Sequence, residues 1–156
     1  MTPLHLPPAA LTRMQRHGEE SYPEECCGFL IAREASVAGS PVRAIDRVER
    51  AANRVEAERS RRFVIRPDEL VRLEDQLTGS HERVVGFYHS HPDHPARPSN
   101  FDQEYAWPWY IYLVLSVAKG KAEDVGAFEL DPTTREFARV PLALTESDGL
   151  QELPSR

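Results

Sequence analysis

The sequence has only two cysteines in 156 residues, Cys26 and Cys27, and they are chain neighbours. Two adjacent thiols cannot build a disulfide framework, which fits a reducing cytosol. Long apolar runs are also missing. None approaches the roughly 20 residues that a membrane helix needs, and the opening MTPLHLPPAA lacks the basic start and apolar stretch of a secretory signal. A cytoplasmic protein without a membrane partner is therefore expected. There is no excess of positive charge: 19 Lys and Arg stand against 25 Asp and Glu, a formal net charge of -6. That balance argues against nucleic acid as a partner. Internal repeats and low-complexity blocks are absent too. What is present is ordinary for a folded chain, 40% hydrophobic and 28% charged residues, and the length fits one domain. The expectation is a single domain over 1–141, followed by a loose polar tail over 142–156.

Periodicity predicts the elements. Pro7-Pro8 followed by Ala10, Leu11 and Met14 at helical spacing reads as a first helix, which Pro23 stops. Cys27 to Ala32 is a short apolar run suited to a buried strand, and residues 42–49 alternate loosely as another. Residues 50–62 are polar and Arg-rich and read as a loop. Phe63-Val64-Ile65 is a strand fragment leading into Pro67-Asp68-Glu69, a good helix start with Leu70, Leu73 and Leu77 as its apolar stripe. Val84 to His89 reads as a strand, Ser99 as the N-cap of a short helix to about Tyr105, and Ile111 to Val117 as a central strand. Strands near Val125–Leu130 and Glu136–Val140 complete a mixed sheet flanked by helices, an α/β fold.

Half of the six histidines, His89, His91 and His94, fall within six residues. His89 and His91 are two apart at a strand end, so their side chains share a face. Ser99 and Asp102 are three apart at a helix start and share a side. The proline-rich loop between them allows that helix start to fold back over the strand end. Two nitrogens and one carboxylate oxygen would then surround a point with no fourth protein ligand, the pattern of a catalytic rather than a structural zinc. Zinc brings the pKa of water it binds to about 7. The competing reading is a pair of hydrogen-bonding histidines on a strand end.

The run His89-Ser90-His91, seven residues, Ser99, two residues, Asp102 matches the His-x-His-x7-Ser-x2-Asp signature of the JAMM (MPN+) metalloproteases. Glu25-Cys26-Cys27-Gly28-Phe29-Leu30 resembles that family's Glu-x-Cys-Gly element. Asn53, the stretch FVIRPDEL over 63–70 and Tyr112 to Ser116 resemble its short prokaryotic members. The resemblance spans roughly residues 10–141. It implies a cytidine-deaminase-like α/β fold and one Zn2+ per chain held by His89, His91 and Asp102. It also implies Glu25 as the general base and Ser99 as a hydrogen-bond donor to the developing oxyanion. Glu24 competes with Glu25 for the base, and the spacing to Cys27-Gly28 favours Glu25. By similarity the substrate is an adduct at the Gly-Gly end of a ubiquitin-fold sulfur-carrier protein. Only eight residues, 103–110, separate Asp102 from the next strand, leaving little room for the insertions with which eukaryotic relatives grip ubiquitin chains. Two further readings are a general or phage-type peptidase on short or cell-wall peptides and a non-catalytic MPN scaffold. Scaffolds lose ligands that this chain keeps.

Other residues carry weaker signals. Cys26 and Cys27 are expected in the core, His94 at a loop tip, and His5, His17 and His81 on the surface. Trp107 and Trp109 are expected to fill the core beside the metal-site helix. Residues 50–66 hold six arginines and two glutamates, a local charge of +4. This segment reads either as a solvated loop or, through Arg59, Arg61 and Arg62, as a docking surface for an acidic protein partner. Its strand fragment could pair with an extended C-terminal tail. Oligomeric state is not legible.

Overall fold

The computed structural model describes residues 3–37, 39–144 and 151–152. Helix α1 (Pro8–Ser21) starts at its proline, where the missing N–H costs nothing. Its buried residues Ala10, Met14, His17 and Gly18 form a stripe at helical spacing. A hairpin follows, β2 (Cys27–Val37) and β3 (Ser40–Ala51); β2 starts at Cys27 as the sequence pattern predicts but runs on past Ala32, and β3 is two residues longer at each end than predicted. Helix α2 (Pro67–Leu77) buries Leu70, Leu73 and Leu77, and Asp68 and Glu69 stabilise its positive N-terminal end.

Strand β4 (Glu82–Pro92) lies antiparallel to β2 and parallel to β5 (Ile111–Ala118), with helix α3 (Asn100–Tyr105) in the connection between them. Strands β6 (Lys121–Leu130) and β7 (Phe137–Val140) extend that side as antiparallel ribbons. On the other side, β1 (Leu4–Leu6) runs parallel to both β3 and β8 (Leu142–Leu144). The sheet order is β7-β6-β5-β4-β2-β3-β1-β8, and β9 (Gln151–Glu152) pairs with the far end of β2. This is a mixed sheet flanked by helices, as the sequence predicts.

Each face of the sheet has its own core. On one, Met14 of α1 packs with Leu30, Tyr88, Leu113 and Leu115. On the other, Leu70 and Leu73 of α2 pack with Phe29, Phe87 and Tyr112. Strand alternation puts His89 and His91 on the Phe87 face, toward α2 and α3, and Tyr88 on the α1 face. Gly28 is required where β2 crosses Tyr88, because a Cβ there would collide with the Tyr88 ring and the Glu49 carbonyl.

Four sequence expectations are corrected. Residues 142–144 belong to the sheet rather than to a loose tail, because Leu142–Leu144 pairs with Leu4–Leu6; residues 145–150 and 153–156 lie outside the described residues. Phe63-Val64-Ile65 is extended but joins no ladder. Trp107 and Trp109 are exposed, Trp109 by 77%, because the core beneath them is already filled by Phe87, Ala106 and Tyr112. His5 and His17 are buried rather than at the surface; His17 faces the sheet in the α1 stripe, and its Nδ1 lies 2.8 Å from the Tyr88 hydroxyl. Among the described residues no helix is long and apolar enough to cross a membrane.

Candidate metal centre

Each functional side chain is placed by a local device. At the end of β4, the Ser90 side chain, on the opposite face from the histidines, accepts the Cys26 N–H at 2.8 Å, and the Ser90 N–H donates to the Cys26 carbonyl at 3.1 Å. This clamp fixes the residue before Cys26 against the histidines. That residue is Glu25, whose N–H donates to the Arg59 carbonyl at 2.7 Å and whose carbonyl accepts from Asn53 Nδ2 at 3.2 Å. Asn53 also accepts the Val55 and Val64 N–H groups, so one side chain ties the Arg-rich loop to the Glu25 segment. Ser90 is a supporting residue that sequence reasoning missed. Its only signal was its place inside the His-x-His unit.

Ser99 caps α3 in a reciprocal box. Its Oγ accepts the Asp102 N–H at 3.1 Å, and Asp102 Oδ2 accepts the Ser99 N–H at 2.8 Å. The same hydrogen bonds that start the helix therefore aim the Asp102 carboxylate. Because Ser99 Oγ is only an acceptor in the cap, its own proton remains free to donate. The loop between β4 and α3 is pinned by Ser116 Oγ, which donates to the His94 carbonyl at 2.7 Å.

Asp102 Oδ2 lies 3.0 Å from both His89 Nε2 and His91 Nε2, and those two nitrogens are 3.1 Å apart. His91 Nδ1 lies 3.0 Å from the Pro95 carbonyl. A carbonyl only accepts, so Nδ1 carries the proton and Nε2 of the neutral ring presents a lone pair. Phe63 stacks on the His89 ring at 4.3 Å and seals it from solvent. Glu25 is buried and Glu24 is exposed. The ligand atoms of Glu25, His89, His91 and Asp102 all lie within 4.8 Å of one another.

The electrostatics follow from burial and from these contacts. Burial would raise the Asp102 carboxyl, but His89, His91 and the Ser99 N–H hold it well below the usual carboxylate range. Burial pushes His89 down. It also opposes the proton on His91, yet the Asp102 hydrogen bond and charge win and His91 is raised. Burial pushes the Glu25 carboxyl up to about 8, with His91 opposing and Asp102 adding to the rise.

Converging acceptors need a shared cation or proton. Asp102 Oδ1 and Glu25 Oε1 are buried and make no hydrogen bond, so the cluster is not satisfied by protein donors alone. Two imidazole nitrogens and a carboxylate oxygen suit zinc in number and kind. The residues present therefore fit the metal. Cys26 and Cys27 are buried free thiols outside this group; burial pushes the Cys26 thiol up to about 11, far from a reactive thiolate.

Two cavities meet at the centre. A polar cleft of about 440 Å³ is lined by Glu25, His91, Ser99, Arg61, Arg62 and Arg97, and exposed His94 also borders it. An apolar groove of about 230 Å³ on the Asp102 side is lined by Phe63, Ile65, Phe87, Tyr105 and Trp107. Phe101 borders both. Of the arginines singled out from sequence, Arg61 and Arg62 reach the cleft. Arg59 does not line it, and its guanidinium donates to the Val55 carbonyl instead.

Residues 7–131 match the family model described as prokaryotic homologs of the JAB domain. The chain is 35% identical over 95 residues to a desampylase of Haloferax volcanii, which covers 60% of this chain and 63% of that protein. It is 32% identical over 101 residues to the tail tip assembly protein K of Escherichia phage N15, covering 61% of this chain and 35% of that protein. The chain thus spans less than two thirds of the length of either relative. Among solved structures, a Salinibacter ruber protein shares 33% identity at a TM-score of 0.68, covering 98% of this chain and 97% of that one. A Desulfitobacterium hafniense protein shares 26% identity at a TM-score of 0.75, covering 92% and 93%.

Proposed function

The chain belongs to the family of prokaryotic homologs of the JAB domain, and from that premise we propose that it is a JAMM-type zinc peptidase. Its proposed substrate is a peptide or isopeptide bond at the Gly-Gly C-terminus of a ubiquitin-fold sulfur-carrier adduct. The observation that carries this reading is the convergence of His89 Nε2, His91 Nε2 and Asp102 Oδ2 beside the buried Glu25 carboxyl, at the junction of two cavities. Similarity to the desampylase supports an isopeptidase acting on ubiquitin-like protein adducts.

His89, His91 and Asp102 would hold the zinc. When bound, the metal supplies Lewis-acid polarisation of the scissile carbonyl and a water acidic enough to react near neutral pH. Glu25, the one carboxylate of the group left over, takes the proton from water and passes it to the departing amine. At about 8 its carboxyl holds a proton too tightly to be a base at neutral pH. A cation held by His89, His91 and Asp102 would favour the ionised form and free it for that role. Ser99, with its hydroxyl proton uncommitted, donates to the developing oxyanion. Phe63 keeps bulk water from the His89 side of the centre.

An extended tail has a place to lie. The Val64 N–H and C=O are engaged with Asn53 and Arg54. By alternation the backbone groups of Phe63 and Ile65 point the other way, and among the described residues they have no partner. An extended peptide can add to such an edge, with its side chains in the adjoining apolar groove.

The test is to incubate zinc-loaded protein with a ubiquitin-like carrier bearing one extra C-terminal amino acid and to follow the carrier's mass. Loss of that residue is expected. Glu25→Gln should slow it by about 10²–10⁴-fold while leaving metal content unchanged. Similarity to the phage tail protein favours a second reading, a phage-type peptidase on short or cell-wall peptides. Cleavage of a panel of such peptides with the carrier adduct left intact would establish that reading instead.

A further inference from the structure

We infer that Arg61, Arg62 and Arg97 form an anion subsite for the free α-carboxylate of the leaving amino acid, making the protein selective for single residues at a chain end. The inference rests on the hydrolytic reading above and specifies its substrate.

The first observation is where the charge lies. The cleft that opens on Glu25, His91 and Ser99 is lined by three arginines and by no acidic residue other than Glu25. The Arg97 backbone N–H donates to the Pro95 carbonyl at 2.9 Å, but its guanidinium makes no hydrogen bond or ion pair among the described residues, so its side-chain donors are uncommitted. Arg62 is steadied by Phe101, with its guanidinium carbon 4.6 Å from the ring centroid. Its partner Glu58, outside the cleft, lies 3.0 Å from Arg62 and 3.9 Å from Arg61. Those pairs are exposed and weak enough to exchange for a ligand. A guanidinium fork matches a carboxylate in shape and charge.

The second observation is which half of the substrate this cleft faces. Glu25 must hand a proton to the departing amine, and Glu25 lines the polar cleft but not the apolar groove. The unpaired edge at Phe63–Ile65 and the apolar groove lie on the other side of Phe101 and suit the acyl half. The leaving half therefore enters among the arginines. In a one-residue leaving group the α-carboxylate is two bonds from the scissile nitrogen, which brings an anion to this wall. A lysine isopeptide within a protein brings none. Hydrolysis breaks the C–N bond with one water. Its oxygen stays on the new carrier carboxylate, both protons end on the amine, and the amino acid leaves as a zwitterion whose carboxylate the arginines hold.

The test uses the full chain loaded with zinc and two synthetic peptides ending in Gly-Gly-Ala, one with a free carboxylate and one amidated. A third peptide carries Gly-Gly on a lysine side chain. The free acid is expected to be cleaved with a kcat/KM higher than that of the amide by on the order of tenfold or more. Arg62→Gln with Arg97→Gln should bring that ratio to about one. Dissociation constants of the acid and amide for Glu25→Gln protein should differ in the same sense, which reads the subsite without turnover. Equal cleavage of acid and amide, or preference for the lysine isopeptide, overturns the subsite and leaves the hydrolytic reading standing. Cleavage of none of the three, with the carrier adduct also left intact, sinks the hydrolytic reading, and the binding ratio still decides the subsite.

Discussion

At the residue scale, the centre depends on side chains that serve two purposes. Ser99 starts α3 and keeps a hydroxyl proton free over the reaction centre. Replacing it with alanine should cost about 1 kcal/mol of stability through the lost cap and about 10²–10³-fold in kcat through the lost donor. Ser99→Asn separates the two effects, because asparagine caps well but lacks the hydroxyl. Urea unfolding should return to near wild type while kcat stays low; full recovery of both would remove Ser99 from the chemistry. This pairing was legible in the sequence, because Ser-x-x-Asp before a short helix is a capping pattern and the two histidines two apart on a strand must share a face. Ser90 was not legible. It is fully buried between two candidate ligands, and only the fold reveals its bonds to Cys26 across 64 residues of chain.

At the element scale, α1 is held to the sheet partly by a polar contact. Burial, reinforced by the Arg50 charge, lowers the His17 imidazole to about 4, while Glu20 opposes this weakly. The unfolded chain therefore binds a proton at His17 that the folded chain rejects between about pH 6.5 and 4, and stability must rise with pH across that window. Acidification from 7 toward 4 should lower the melting temperature, and His17→Phe should flatten part of that slope. Identical slopes in the two proteins would show that His17 titrates normally. The burial of His17 could have been read from its spacing, three residues after Met14 and seven after Ala10. Histidine's ambivalence hid it. Strand β1 was harder to read. Leu4-His5-Leu6 is too short to carry a period, and it exists because β3 and β8 close on it from distant parts of the chain.

At the scale of the whole molecule, a net charge of -6 coexists with one basic wall. The sequence located that charge in residues 50–66 but not its direction. Arg61 and Arg62 line the cleft beside Arg97, whereas Arg59 contributes its backbone to Glu25. Nor could composition reveal that Trp107 borders an open groove. Large aromatics favour cores on average, and here Phe87 and Tyr112 already occupy that space. The mixed sheet was legible from its apolar runs, because strands flanked on both faces by helices read as continuous hydrophobic segments. The cavities were not, because they arise where three separate loops meet.

The account turns on a metal at His89, His91 and Asp102, so metal content is the decisive measurement. Inductively coupled plasma mass spectrometry of purified protein beside Asp102→Ala should find about one zinc per chain in the wild type and almost none in the variant. Wild-type protein that takes up no zinc even after reconstitution would contradict the account and leave a scaffold with a hydrogen-bonded histidine pair.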